Sequence, residues 1–260
     1  MRGLRGRTAV VTGGGRGIGA AAALALAKAG VTVAVVARNN DQVVEMAARL
    51  RHGGHEAFAF TCDVTNSRDV REAAMGAQEA MGRVDILVNG AATAKSNYLE
   101  RVTLEEWNHV MAVNATGTFL FTKALLPAMV ERGWGRVVNV ASLAGLRGIT
   151  QHVAAHTAAR HAVVGFTRAV AMDVAGTGVT VNALCPGFMD TPFTHEQVAD
   201  FAERTGRTFE ETKSALLRQA GQYRFIPPTE VADAIVELCR QRSADINGEA
   251  IAMDGGGWEG

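Results

Sequence analysis

The residues with the clearest chemical potential are Thr12-Gly13-Gly14-Gly15-Arg16-Gly17-Ile18-Gly19. An apolar run, TAVV, precedes them, and the alanine-rich AAAALALAKAG follows. Glycines let a backbone adopt positive φ and approach a ligand without a Cβ clash. A helix starting just after them offers unpaired N–H groups and the positive end of its dipole to an anion. Strand, glycine turn and small-residue helix in that order suit the diphosphate of a dinucleotide at the edge of a parallel sheet. An ordinary glycine-rich turn is the plainer alternative, and the flanking strand and helix weigh against it.

Two further positions refine that reading. Arg38 follows the second apolar run, where a dinucleotide-binding unit meets the adenosine ribose. A carboxylate there would accept from a free 2′-hydroxyl, whereas an arginine pairs with a 2′-phosphate. Arg16, inside the glycine turn, supplies a second positive group, so the expected cofactor is NADP(H). A merely solvated strand end is the other reading of Arg38. Asp63, at the end of the third strand, is placed to accept from an adenine amino group.

Stepping outward, 260 residues with 48% hydrophobic and 20% charged suffice for one packed domain. Lys plus Arg equals Asp plus Glu, at 26 each, so no net field gathers nucleic acid or an acidic membrane. Cys62, Cys185 and Cys239 are far apart, without metal-ligand spacing, and suit buried thiols in a reducing compartment. No apolar run is long enough to span a membrane, and the basic residues 1–7 lack the apolar segment of a secretion signal. A soluble cytoplasmic protein with a solvated N-terminal tail is expected, with no metal.

The elements alternate. Strands are expected at 32–37, 57–62, 85–89, 135–140, 179–184 and 249–253. Helices are expected at 41–50, 67–81 and 154–175, with another from the Pro227-Pro228-Thr229 start to about 239. Thr103-Leu104-Glu105-Glu106 is a capping box opening a long helical region toward Glu131, bent near Pro127. Val43, Val44, Ala47 and Leu50 form one helical stripe, and Ala158, Ala162, Phe166, Ala169 and Val170 another. This alternation predicts an α/β fold, a Rossmann-like parallel sheet with helices on both faces. Residues 1–260 form one domain, with the polar 188–222 segment as a lid of short helices. Phe188, Phe193, Phe201 and Phe209, with Leu143, Leu146 and Val153, are candidates to line an apolar cavity under it, or simply to pack.

With these residues in view, the chain resembles the short-chain dehydrogenase/reductase family over essentially its whole length, nearest in look to bacterial ketoreductases. Thr12, Gly13, Gly17 and Gly19 match its glycine motif, and Asp63-Val64 its adenine-contacting pair. Asn89-Gly90-Ala91-Ala92 is a relaxed match to Asn-Asn-Ala-Gly. Asn114 matches the family's helix asparagine and Ser142 its active-site serine. Pro186-Gly187 with Thr191-Pro192 matches the loop that meets nicotinamide. The resemblance thus implies Thr12, Gly13, Arg16, Gly17, Ile18, Gly19, Arg38, Asp63, Val64, Asn89, Ala91, Pro186, Gly187 and Thr191 as cofactor contacts.

The resemblance breaks at the family's catalytic tyrosine and the lysine four residues later. Alignment on Val164-Gly165-Phe166-Thr167-Arg168 puts His156 at the tyrosine position and Arg160 at the lysine position. The commoner spacing from Ser142 would give Ala155 and Ala159, so neither register has a tyrosine. A histidine can carry a proton, and i,i+4 spacing puts His156 and Arg160 on one helix face. Arg160 suits ribose hydroxyls but cannot join a proton relay, and its charge disfavours imidazolium at His156. His156 either replaces tyrosine in proton transfer or fills its place without that role. Tyr98 and His152 are loop residues near the same edge.

The implied activity is NADP(H)-dependent interconversion of a ketone and a secondary alcohol. Ser142, His156, Arg160 and Asn114 are the implied catalytic group, and the substrate is small and apolar or ring-containing. The rivals are a non-redox enzyme (dehydration, cyclisation or isomerisation) and an inactive nucleotide-binding partner. Helices around 104–130 and 154–175 pair in the family across a two-fold interface, implying a homo-oligomer, commonly a tetramer.

Overall fold

The computed structural model describes residues 3–257, apart from the side chain of Phe193. Its elements run β1 (Thr8–Thr12), α1 (Gly17–Lys28), β2 (Thr32–Ala37), α2 (Asn40–His52), β3 (Ala57–Thr61), α3 (Ser67–Met81) and β4 (Ile86–Asn89). They continue α4 (Leu104–Met111), α5 (Gly117–Glu131), β5 (Gly135–Val140), α6 (Ala154–Asp173) and β6 (Val179–Pro186). α7 (Pro192–Thr205), α8 (Phe209–Ala220), α9 (Pro228–Cys239) and β7 (Ala250–Met253) complete the chain.

The seven strands form one parallel sheet in the order β3-β2-β1-β4-β5-β6-β7. The chain builds outward from β1 to β3, then returns to add β4 on the other side of β1. That reversal opens a crevice at the carboxyl ends of β1 and β4, where ligands bind in sheets of this kind. The apolar runs are continuous because both faces are covered. Ala9, Val11, Val33 and Val35 meet Leu26, Val43, Leu50 and Ile235 on one face. Val10, Ala34 and Val36 meet Val70, Phe121, Leu125 and Met129 on the other.

Several expectations need correction. Val44 is exposed, and the buried stripe of α2 is Val43, Met46, Ala47 and Leu50. On α6 the buried face is Ala155, Ala159, Arg160, Val163, Val164, Thr167 and Ala171. The stripe Ala158, Ala162, Phe166, Ala169 and Val170 lies on the less covered side, with Ala162 and Ala169 exposed and Val170 packed in part against the core; alanine marks a helix face without saying which side is covered. The long helical region carries a π turn at Ala112–Thr116, which was not expected, and Pro127 lies inside α5. Near the N-terminus, Leu4 is buried and Arg7 lies 3.7 Å over the Trp134 ring and 3.4 Å from Asp85. That segment is therefore packed down; Met1 and Arg2 lie outside the described residues.

Candidate active site

The implied site residues gather at one edge because each lies at or just beyond a strand's carboxyl end, or on a helix packed there. Thr12 ends β1 and Gly13 follows it, Arg38 follows β2, Asp63 lies just beyond β3, and Asn89 ends β4 with Ala91 just after. Ser142 follows β5, and Pro186 closes β6.

The glycine turn is held by contacts that tolerate no side chain. Gly13 has φ +65°, and a Cβ there would lie 2.7 Å from the Gly90 carbonyl. A Cβ at Gly19 would collide with the Gly13 carbonyl. Gly17, at φ +55°, faces open space instead. The N-cap of α1, Arg16, makes no side-chain capping bond, and the first turn holds no acidic residue. The first N–H groups of α1 are thus left for an anion.

Thr12, an implied cofactor contact, also links two strands. Its buried hydroxyl accepts from the Gly90 and Ala91 N–H groups at 3.0 and 3.2 Å, tying β1 to β4. The buried side chain of Asn89 points into the sheet: its Nδ2 donates to Asn139 Oδ1 (2.8 Å) and Thr122 Oγ1 (3.1 Å), while its Oδ1 has no hydrogen-bond partner.

On the adenosine side, Arg38 and Arg16 are exposed and Val64 is buried. Burial opposes the charge of Asp63, but the Thr65 N–H and hydroxyl, with Arg38 and His109, outweigh it and hold this carboxyl below its ordinary range.

Around Ser142 the side chains are tightly placed. Ser142 Oγ accepts from the Ala144 N–H at 3.1 Å, leaving its own proton to donate to an incoming oxygen. The π turn swings Asn114 into the interior, fully buried. Its Nδ2 donates to the Thr93 and Val110 carbonyls at 2.9 and 2.8 Å, and its Oδ1 accepts from the Thr93 N–H at 3.3 Å. The same Thr93 carbonyl lies 3.4 Å from His156 Nδ1. His156, Asn114 and Thr93 thus meet at one carbonyl oxygen.

Arg160 is 5% exposed and donates through Nη1 to the Val140 carbonyl at 2.9 Å. Its buried Nε has no hydrogen-bond partner. Desolvation pushes this guanidinium down to about 10, which leaves it charged at neutral pH. Desolvation first, and the Arg160 charge second, push His156 down to about 3, against a smaller opposing effect of the Thr93 carbonyl. His156 is therefore neutral across the physiological range. Ala155 and Ala159, the alternatives by spacing, pack instead against Val110 and Met111.

The remaining implied residues are more peripheral. Thr191 caps α7, accepting from the Thr194 N–H at 3.2 Å. Beyond Pro186, Gly187 is pressed against Gln222, whose amide brackets the Phe188 backbone with two bonds of 2.8 Å. Phe188 and Phe209 pack with Val198, Leu217 and Phe225 into a small core beneath the 188–222 segment, and Phe188 also packs with Leu143 and Leu146. Two helices standing off the sheet need such a core of their own. The Phe193 side chain lies outside the described residues. Tyr98 meets His152 on the exposed rim in a tilted ring contact, centroids 4.2 Å apart, while His161 is exposed and bonded to its own helix.

Sequence reasoning missed Thr93, Cys185 and Gln222. Thr93 acts through its carbonyl, which residue type does not reveal. Cys185 was visible only as a buried thiol; burial pushes it up to about 11, and it interacts with both the Ser142 backbone and Arg160.

A nicotinamide dinucleotide fits these residues. The cradle that a Cβ would fill, the uncapped start of α1 and the unpartnered buried Arg160 Nε are the donors and space it needs. Two open grooves, of about 740 and 570 Å³, lie on α4 and between α1 and α9; neither is lined by Ser142, His156 or Arg160.

Comparison with known proteins fits this geometry. Residues 7–202 match the short chain dehydrogenase family. The chain is 37% identical to 2-(S)-hydroxypropyl-CoM dehydrogenase 3 of Xanthobacter autotrophicus, over 97% of each chain. It is similar to a tryptophan variant of actinorhodin polyketide ketoreductase solved with NADPH, at 35% identity and TM-score 0.90 over 96% of each chain. An NAD⁺-bound xylitol dehydrogenase matches at 27% identity and TM-score 0.92, covering 98% of this chain and all of that one (100%).

Proposed function

This chain belongs to the short chain dehydrogenase family, and on that premise we propose that it interconverts a ketone and a secondary alcohol with NADP(H). The observation that carries the proposal is the convergence of the glycine cradle, Ser142, His156 and Arg160 on one edge of the sheet. When bound, the nicotinamide supplies or takes up hydride. The chain's residues do the rest. Gly13, Gly17, Ile18 and Gly19 admit the diphosphate to the start of α1. Arg38 and Arg16, both exposed and with no carboxylate at the end of β2, favour a 2′-phosphate. Asp63 and Val64 hold the adenine, Ala91 and the Asn89 backbone flank the ribose, and Pro186, Gly187 and Thr191 bound the nicotinamide.

Arg160 Nε donates to a ribose hydroxyl, Ser142 donates to the substrate oxygen, and His156 exchanges a proton with that oxygen. The 188–222 segment covers the substrate, which is small and apolar or ring-containing. The NADPH complex of the actinorhodin ketoreductase supports the phosphorylated cofactor. A homo-oligomer, a tetramer by family likeness, is supported by the outward face of α5 and α6, where exposed Phe119 meets Phe166 edge-on at 6.2 Å. Three buried free thiols suit a cytoplasmic setting.

The test is absorbance at the nicotinamide band with a panel of secondary alcohols and ketones, comparing wild type and His156→Phe. Turnover by the wild type that collapses in the variant supports the reading. Nucleotide binding with no change in the band, alongside a converted substrate, would move the assignment to a non-redox reaction with His156 as base.

A further inference from the structure

The contact between His156 and Thr93 carries a direction. A carbonyl oxygen only accepts, so the ring nitrogen facing it must carry the hydrogen. A neutral imidazole has one such hydrogen, and its other nitrogen then bears a lone pair. Asn114 Nδ2 donates to the same carbonyl, while Asn114 Oδ1 takes the Thr93 N–H, so both backbone polar groups of Thr93 are held. The buried π turn places Asn114 for this, and α6 packs against the same turn.

We propose that the Thr93 carbonyl, held by Asn114, fixes His156 in its Nδ1–H form, so that Nε2 is the proton acceptor for a substrate hydroxyl and the site is built to oxidise a secondary alcohol. This rests on the redox reading above. The alcohol gives its hydroxyl proton to Nε2 and its carbinol hydride to the oxidised nicotinamide nucleotide. Its C–O bond becomes C=O, and the imidazolium releases the proton to water. Asn114 is a positioning residue in this scheme, because it reaches the reaction only through Thr93 and His156.

The surroundings keep the resting ring neutral, with its lone pair free, although the same burial and charge make it a weak base. On its own helix His156 has Arg160, a fixed cation. The turn after β5 brings uncharged Ser142, and β6 brings Cys185, whose thiol stays protonated. On α4, Glu106 is paired with Lys95 and the Thr103 cap, and His109 acts on Asp63. No carboxylate among the described residues acts on the His156 ring to hold a proton there.

Long-range ¹H–¹⁵N correlation on the full-length protein at pH 7 tests the form of the ring directly. The His156 signal is identified by its loss in His156→Gln and in His156→Phe. The expected result is a protonated Nδ1 and a bare Nε2, unchanged from pH 8 to pH 5, with the Nε2–H form emerging in Asn114→Asp. An Nε2–H ring or an imidazolium in the wild type overturns the proposal. Kinetics give a second readout. Oxidation kcat/KM should be flat from pH 6 to 9, while reduction falls about tenfold per pH unit, because only the rare imidazolium donates. An oxidation profile rising through a group near neutrality overturns it as well. A bare Nε2 in a protein that binds no nucleotide would sink the redox reading while leaving the tautomer intact. Turnover with an Nε2–H ring would sink this inference alone.

Discussion

The two sides of the cleft use different materials. Between β1 and β4 the ligand-facing surface is backbone, with the Gly13 φ, the Gly13–Gly90 approach and the uncapped start of α1 making a mould in which side chains are mostly absent or turned away. Between β5 and α6 it is side chains under electrostatic load: a buried arginine with an unpartnered nitrogen and a histidine kept neutral by burial and by that arginine. The first side can keep its shape through extensive sequence change as long as the glycines stay. On the second, one substitution changes which group holds a proton. Under the proposed function, with His156 and Arg160 taking the places of the family's tyrosine and lysine, that contrast explains how an altered catalytic pair can sit beside a conserved type of glycine turn.

The sharpest way to break the comparison is on the second side. His156→Phe should reduce kcat by about 100- to 10,000-fold, the range for losing a general acid or base, with nucleotide affinity little changed; stopped-flow turnover and a binding titration separate the two. Ser142→Ala comes next. Loss of one donor aimed at the reacting oxygen should cost about 100- to 1,000-fold in kcat.

The first side responds in binding instead. Gly13→Ala forces a Cβ into left-handed backbone, at about 1–2 kcal/mol, and against the Gly90 carbonyl. Nucleotide affinity and thermal midpoint should both drop while the substrate-side pH behaviour persists. Arg38→Ala should weaken NADPH by about tenfold, or 1.4 kcal/mol, and leave NADH unaltered.

A further effect, on neither turnover nor nucleotide affinity, concerns stability. The His156 pKa is about 3 when folded and about 6.5 when unfolded. The unfolded chain therefore binds more protons between these values, so stability is full above about pH 6.5 and is lost as pH falls toward 3. Urea midpoints of His156→Gln should fall less between pH 6 and pH 4 than those of the wild type; equal slopes would show that His156 is not kept neutral by the fold.

Much of this was legible in the residues. The strands at 32–37 and 135–140 and the helix at 67–81 stand where their patterns put them, since apolar runs and helical spacing are local signals. The π turn was not legible, because one extra residue per turn leaves no mark in a helical pattern. Nor was the outward face of α6, since alanine suits a buried helix and an interface equally. At the site, side-chain chemistry pointed to His156 and Arg160. The carbonyl of Thr93 and the interior turn of Asn89 depend on backbone geometry that composition does not encode.

The most direct test of the whole account is a fluorescence titration of protein stripped of carried-over nucleotide, with NADPH and NADH in parallel. Saturable binding of both, with NADPH at least about tenfold tighter, is the predicted result. No affinity for either would contradict it.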